Sequence, residues 1–154
     1  MQEAKGKTFL KVTGILLIIF GALGLISSLV SMAGASVLSA LAAEFGANLG
    51  GILMLSAIVS IVLGAVDLVA GILGVKNAQL PEKAQVCFIM GIIMVLLQVV
   101  SFIFALVVNS SMTPIYEAAG MPNPGIVTSV LGLIVGLVLP VLYLVGANKN
   151  KQSV

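Results

Sequence analysis

The chain has 154 residues, 60% of them hydrophobic and 8% charged, with a net charge of +2 and a mean hydropathy of +1.28. Soluble globular domains carry about 25% charged residues, so this composition excludes that class and indicates an integral membrane protein. With no His, no Arg and a single cysteine, Cys87, a disulfide framework or CxxC redox pair within the chain is also excluded.

Four apolar runs are long enough to cross about 30 Å of hydrocarbon: residues 12–33, 49–75, 86–108 and 126–147. The first follows lysines and ends near a small-residue "AGA", as a secretory signal would. Its apolar stretch exceeds the 7–15 residues of a signal core, and it is expected to remain as an uncleaved helix. The stretch after it, "GASVLSALAAEFGAN", spaces Val37, Leu38, Leu41 and Phe45 as a helix would, either lying on the interface or prolonging the first span. The second run contains one acid, Asp67, in "IVLGAVDLVAGILG". Cys87, near the start of the third run, is expected to pack as a small apolar side chain. The segment "NSSMTPIYEAAGMPNPG" predicts a turn of helix starting at Thr113 and Pro114, ending at Gly120, and a break at "PNPG" before the fourth run.

The connections are far shorter than the roughly 50 residues a separate domain needs, so the expectation is one transmembrane domain over residues 1–154. The lysines fall at the N-terminus (Lys5, Lys7, Lys11), between the second and third runs (Lys76, Lys83) and in the tail (Lys149, Lys151). Four spans bring these segments to one side, while the other loops carry only Glu44 and Glu117. The positive-inside rule then predicts both termini in the cytoplasm, with short outer loops. This orientation signal accounts for the lysines without invoking nucleic acid as a partner.

In lipid, spans associate through close backbone approach and interhelical hydrogen bonds, which require small or polar residues at the contact. Such residues recur at steps of three and four in every span. The first has Gly14, Gly21, Gly24, Ser28 and Ser31; the second Ser56, Ser60, Gly64, Asp67, Gly71 and Gly74. The third has Ala84, Cys87, Gly91, Met94, Gln98, Ser101 and Ala105; the fourth Ser129, Gly132, Gly136, Pro140, Tyr143 and Ala147. Steps summing to seven predict an all-α, left-handed four-helix bundle. A shift of 72 residues aligns Gly64 with Gly136, Gly74 with Gly146 and Lys11 with Lys83, the pattern of a parallel hairpin duplication.

At about 1.5 Å per residue from Lys76, Asp67 lies roughly 13 Å deep, level with Gly21, Gly91 and Pro140. Gln98, counted from Lys83, lies roughly 22 Å deep, near Ser60, Ser27 or Ser28, and Gly132. Two separate polar layers are therefore expected. Gln98 is expected to exchange hydrogen bonds with neighbouring hydroxyls. Pro140 lacks an N–H and frees the carbonyl of Gly136. A neutral Asp67, favoured by burial away from any cation, is expected to donate to that carbonyl.

No paired carboxylates at one depth, no nucleophile beside a base, no metal-ligand cluster and no phosphate-cradling loop can be read, so neither an enzyme nor a bound cofactor is expected. The leading expectation is a non-catalytic protein acting through helix association, with itself or another membrane protein. Gly24 with Ser27 and Ser31, and Gly71 with Gly74, offer more close-contact surface than one bundle needs. The alternative is a small channel or a proton- or cation-coupled transporter using Asp67, the role intramembrane acids suggest by default.

The stretches "KTFLKVTGILLIIFGALGLI", "LVAGILGVKNAQLPEKA" and "VLPVLYLVGANKN" resemble uncharacterised small four-helix membrane proteins of low-GC Gram-positive bacteria. That resemblance implies a bacterial plasma membrane and carries no functional residue. Claudins, tetraspanins and MARVEL proteins share only the four-span topology, because the W-GLW-C-C and CCG marks are missing.

Overall fold

The computed structural model describes residues 4–44, 50–118, 120–123 and 125–153. Four helices make up the described chain: α1 (Lys7–Glu44), α2 (Gly50–Asn77), α3 (Ala84–Ala118) and α4 (Gly125–Lys151), with a 3-10 turn at Pro81–Lys83 leading into α3. Each is apolar on all sides, as befits a helix facing lipid outward and other helices inward, and each is long enough to cross a membrane. Phe45, Leu49 and Pro124, named in the sequence reading, lie outside the described residues.

Two helices run past the expected spans. The "GASVLSALAAE" segment prolongs the first span, so α1 reaches 38 residues, or about 57 Å. In the third, Thr113 and Pro114 do not start a separate turn but lie inside α3, which continues to Ala118. Thr113 donates its hydroxyl to the Asn109 carbonyl at 3.1 Å, beside the carbonyl of Ser110 that Pro114 leaves without a helical donor. The chain turns at Gly120, where φ is 64°, and Asn123 caps the approach to α4 by accepting from the Gly125 amide.

The helices pair most extensively as α1 with α2 and α3 with α4. The α1–α2 contact is made where side chains are missing. A Cβ on Gly14 would lie 2.9 Å from the Gly71 carbonyl oxygen, and one on Gly71 would lie 2.7 Å from that of Gly14. Gly21 and Gly64 repeat the arrangement two turns along, against Leu68 and Leu25. Leu, Ile and Val face away from the bundle on every helix, among them Leu23, Ile72, Leu96 and Ile134.

The larger packed core occupies one half of the molecule, and a smaller cluster of Met112 and Ile115 with Leu53, Val108 and Tyr116 lies toward the other end. Leu10, Leu17, Ala70, Ala78, Cys87, Met94, Tyr143 and Ala147 form the larger core, all toward the end that carries the lysines. Polar groups tie that end together. Asn150 accepts from the Gly6 amide at 2.7 Å and donates to the Ala78 carbonyl at 3.0 Å, and the Lys5 amide donates to the Ser153 hydroxyl. These bonds place both chain ends and the α2–α3 turn at the same end of the bundle. Cys87 is buried, packs as expected, and directs its thiol at the Leu73 carbonyl.

Candidate functional site

The opposite half is looser, and its polar residues line open space. A groove of about 640 Å³ follows the α1–α2 seam. Its walls run from Phe20 and Gly24 through Ser27, Ser28, Ser31 and Gly34 to Leu38 on α1, and from Asp67 and Gly64 through Ser60 and Ser56 to Leu53 on α2. Leu38 and Leu53 lie near the far ends of their helices, so the groove leads inward from the end away from the lysines. A second cavity, of about 360 Å³, is formed by Leu17, Phe20, Asp67, Gln98, Val135, Gly136, Val138, Leu139 and Pro140. Asp67 and Phe20 border both spaces.

Asp67 and Gln98, expected in two separate polar layers, border one cavity from different helices. Counting residues from the lysines gives depth along each axis but ignores the tilt and offset of α3 relative to α2. The expected bond from Asp67 to the carbonyl freed by Pro140 is also corrected. The carboxamide of Gln98, not Asp67, lies against Gly136, where it fills the place a Cβ would take. Asp67 Oδ1 is enclosed and has no hydrogen-bond partner among the described residues. Nor do the hydroxyls serve Gln98: Ser60 donates to the Ser56 carbonyl at 2.9 Å and Ser28 to that of Leu25 at 2.9 Å. Back-bonding of this kind uses the hydroxyl proton and leaves the oxygen lone pairs free to accept.

The glycines divide into two groups. Gly14, Gly21, Gly64 and Gly71 form the α1–α2 seam, Gly91 receives Leu144 and Tyr143, and Gly136 receives Gln98. Gly24 and Gly132 depart from the packing expectation, since a Cβ at either would meet nothing within 4 Å. Gly24 lies on the groove, and Gly132 is exposed on α4. Gly71 and Gly74, read as surplus contact surface, are both used internally, Gly74 against Tyr143 and Leu10.

Sequence reasoning did not name Phe20, which has no polar atom to mark it among many apolar neighbours. Nor did it foresee the tie through Asn150, although "NKN" at the end of α4 was the available signal. Among the described residues, no group of three His, Cys, Asp or Glu side chains could hold a metal ion. No protein-family model, curated protein or solved structure matches this chain. The site must be interpreted from its own chemistry.

Proposed function

We propose that this protein is a non-enzymatic, multi-pass membrane protein of a bacterial plasma membrane, acting as a small proton- or cation-coupled transporter through Asp67. The lysine-bearing end faces the cytoplasm in this reading. One observation carries it: a serine-lined groove and a smaller, largely apolar cavity meet at an acid whose buried Oδ1 has no hydrogen-bond partner among the described residues. Structural acids in a membrane interior are normally hydrogen-bonded, because an unmet polar group costs several kcal/mol there. An intramembrane acid that borders two open spaces can exchange a proton or receive a cation there. Access is one-sided, since the lysine end is closed by Leu10, Leu17, Met94 and Tyr143.

The test is proton flux. Purified protein in liposomes containing a pH-sensitive dye is given a pH step, and flux is compared with that of Asp67→Asn. Loss of the protein-dependent component in the variant is expected; equal flux in both removes Asp67 from the mechanism.

The association reading retains one specific support. Gly24, Ser27, Ser31 and Gly34 present small, exposed surface along the groove, which a helix of a second copy or of another membrane protein could fill closely. Crosslinks between single cysteines placed at Ser27 and Ser31 in native membranes are expected if the groove is such an interface. Strictly monomeric protein argues against it.

A further inference from the structure

The surroundings of Asp67 define what kind of cation could reach it. A metal ion would require several oxygen ligands in one tight shell. On α2 the next hydroxyl along the groove, that of Ser60, is seven residues away, or about 10 Å along the helix axis. The rest of the smaller cavity's wall is instead apolar or neutral, with Leu17 and Phe20 from α1, Gln98 from α3, and Val135, Leu139 and Pro140 from α4. An acid at the junction of two half-open spaces, with an aromatic ring that borders both, suits a cation whose charge is surrounded by hydrocarbon. Carboxylate attraction and the face of Phe20 would both act on such a charge. The two spaces, about 640 and 360 Å³, fall within the range of small-molecule pockets. The groove is open along its length, so a ligand dissolved in the bilayer can enter from the side.

Resting on the Asp67 reading above, we propose that the junction of the groove and the inner cavity is a binding site for lipophilic organic cations, held by Asp67 and Phe20. The cation pairs with the carboxylate, and where the carboxyl is protonated its proton leaves to solvent as the cation binds. Among the described residues lining the two spaces, Asp67 is the one titratable group. The buried Cys87 of α3 and Tyr143 of α4 direct their protons to the carbonyls of Leu73 and Ala70 in the packed half. The remaining intramembrane wall is uncharged, so an anion of the same shape finds no partner.

The experiment uses two ions of matched size and opposite charge, tetraphenylphosphonium and tetraphenylborate, with the full chain in vesicles of neutral lipid. Equilibrium binding is measured for the native protein, Asp67→Asn, Asp67→Glu and Phe20→Leu, and proton release is followed with a dye in weak buffer. Tetraphenylphosphonium is expected to bind at one site per chain and to release up to one proton per site, more at low pH than at high. Asp67→Asn should weaken its binding at least tenfold, Phe20→Leu should weaken it several-fold, and Asp67→Glu should retain it. Tetraphenylborate is expected to show only protein-independent partitioning. Equal binding of both ions, or binding that Asp67→Asn leaves unchanged, overturns the proposal. Proton flux in the same vesicles separates the two readings. Asp67-dependent flux without tetraphenylphosphonium binding overturns the organic-cation assignment alone, and flux independent of Asp67 with no binding overturns both. Circular dichroism of each variant confirms that a lost signal reflects the site and not the fold.

Discussion

Replacing Gly71 by alanine should separate the two helices that share the tightest seam. The new Cβ would sit 2.7 Å from the Gly14 carbonyl oxygen, 2.8 Å from Ile18 Cγ1 and 2.9 Å from the Ile18 amide nitrogen. Ordinary contacts begin near 3.4 Å, and two of these three atoms are backbone, which cannot rotate away. The helices must therefore part by roughly 0.5 Å or more, which forfeits about a quarter of the dispersion energy of every neighbouring contact along the seam. Overpacking of this kind costs about 1–3 kcal/mol, against a gain of up to about 1 kcal/mol from alanine's better helix propensity. A net destabilisation of about 1–2 kcal/mol is expected. Gly24→Ala is the matched control, because it adds the same methyl to the same helix pair where no atom lies within 4 Å. There only the propensity term operates, giving a change between zero and about 1 kcal/mol of stabilisation. Reversible unfolding in mixed micelles, titrated with a denaturing detergent and followed by circular dichroism, measures both. Equal effects at the two positions would refute the argument that glycine is required at the seam by contact and not by composition.

The lysine end offers a second prediction. Asn150→Ala removes the acceptor for the Gly6 amide and the donor to the Ala78 carbonyl, and should cost about 1–3 kcal/mol. Hydrogen exchange should show residues 5–10 losing protection while the centre of α3 keeps it; unchanged protection would mean Asn150 ties nothing. Tyr143→Phe deletes one hydroxyl, which donates to the Ala70 carbonyl at 2.8 Å, and should cost about 0.5–1.5 kcal/mol. Tyr143→Ala empties a fully buried ring site and should cost about 3–5 kcal/mol, so the ratio of the two separates packing from hydrogen bonding. Asp67→Asn breaks no hydrogen bond within the described chain, and its stability should stay within about 1 kcal/mol of native. A loss beyond about 2 kcal/mol would show that the acid is a structural partner after all.

The amino-acid order alone determined the membrane class, the four spans and the common end of the lysine segments, because hydrocarbon thickness and charge cost act on any chain locally. It also marked the glycines able to make a seam, since Gly14 and Gly21, and Gly64 and Gly71, are spaced at seven; that these two pairs meet each other was decided by the bundle. Tertiary structure decided what periodicity cannot. A helix that is apolar all round has no polar side to fix its rotation, so Gly24 and Gly132 could not be told from Gly14 and Gly136 in the same rows until neighbouring helices were placed. That Asp67 and Gln98 border one cavity depends on how α2 and α3 are placed, and the Asn150 and Tyr143 bonds join residues more than 70 apart in the chain. Such contacts arise from the relative placement of rigid helices, a property of the assembled bundle and of no single segment.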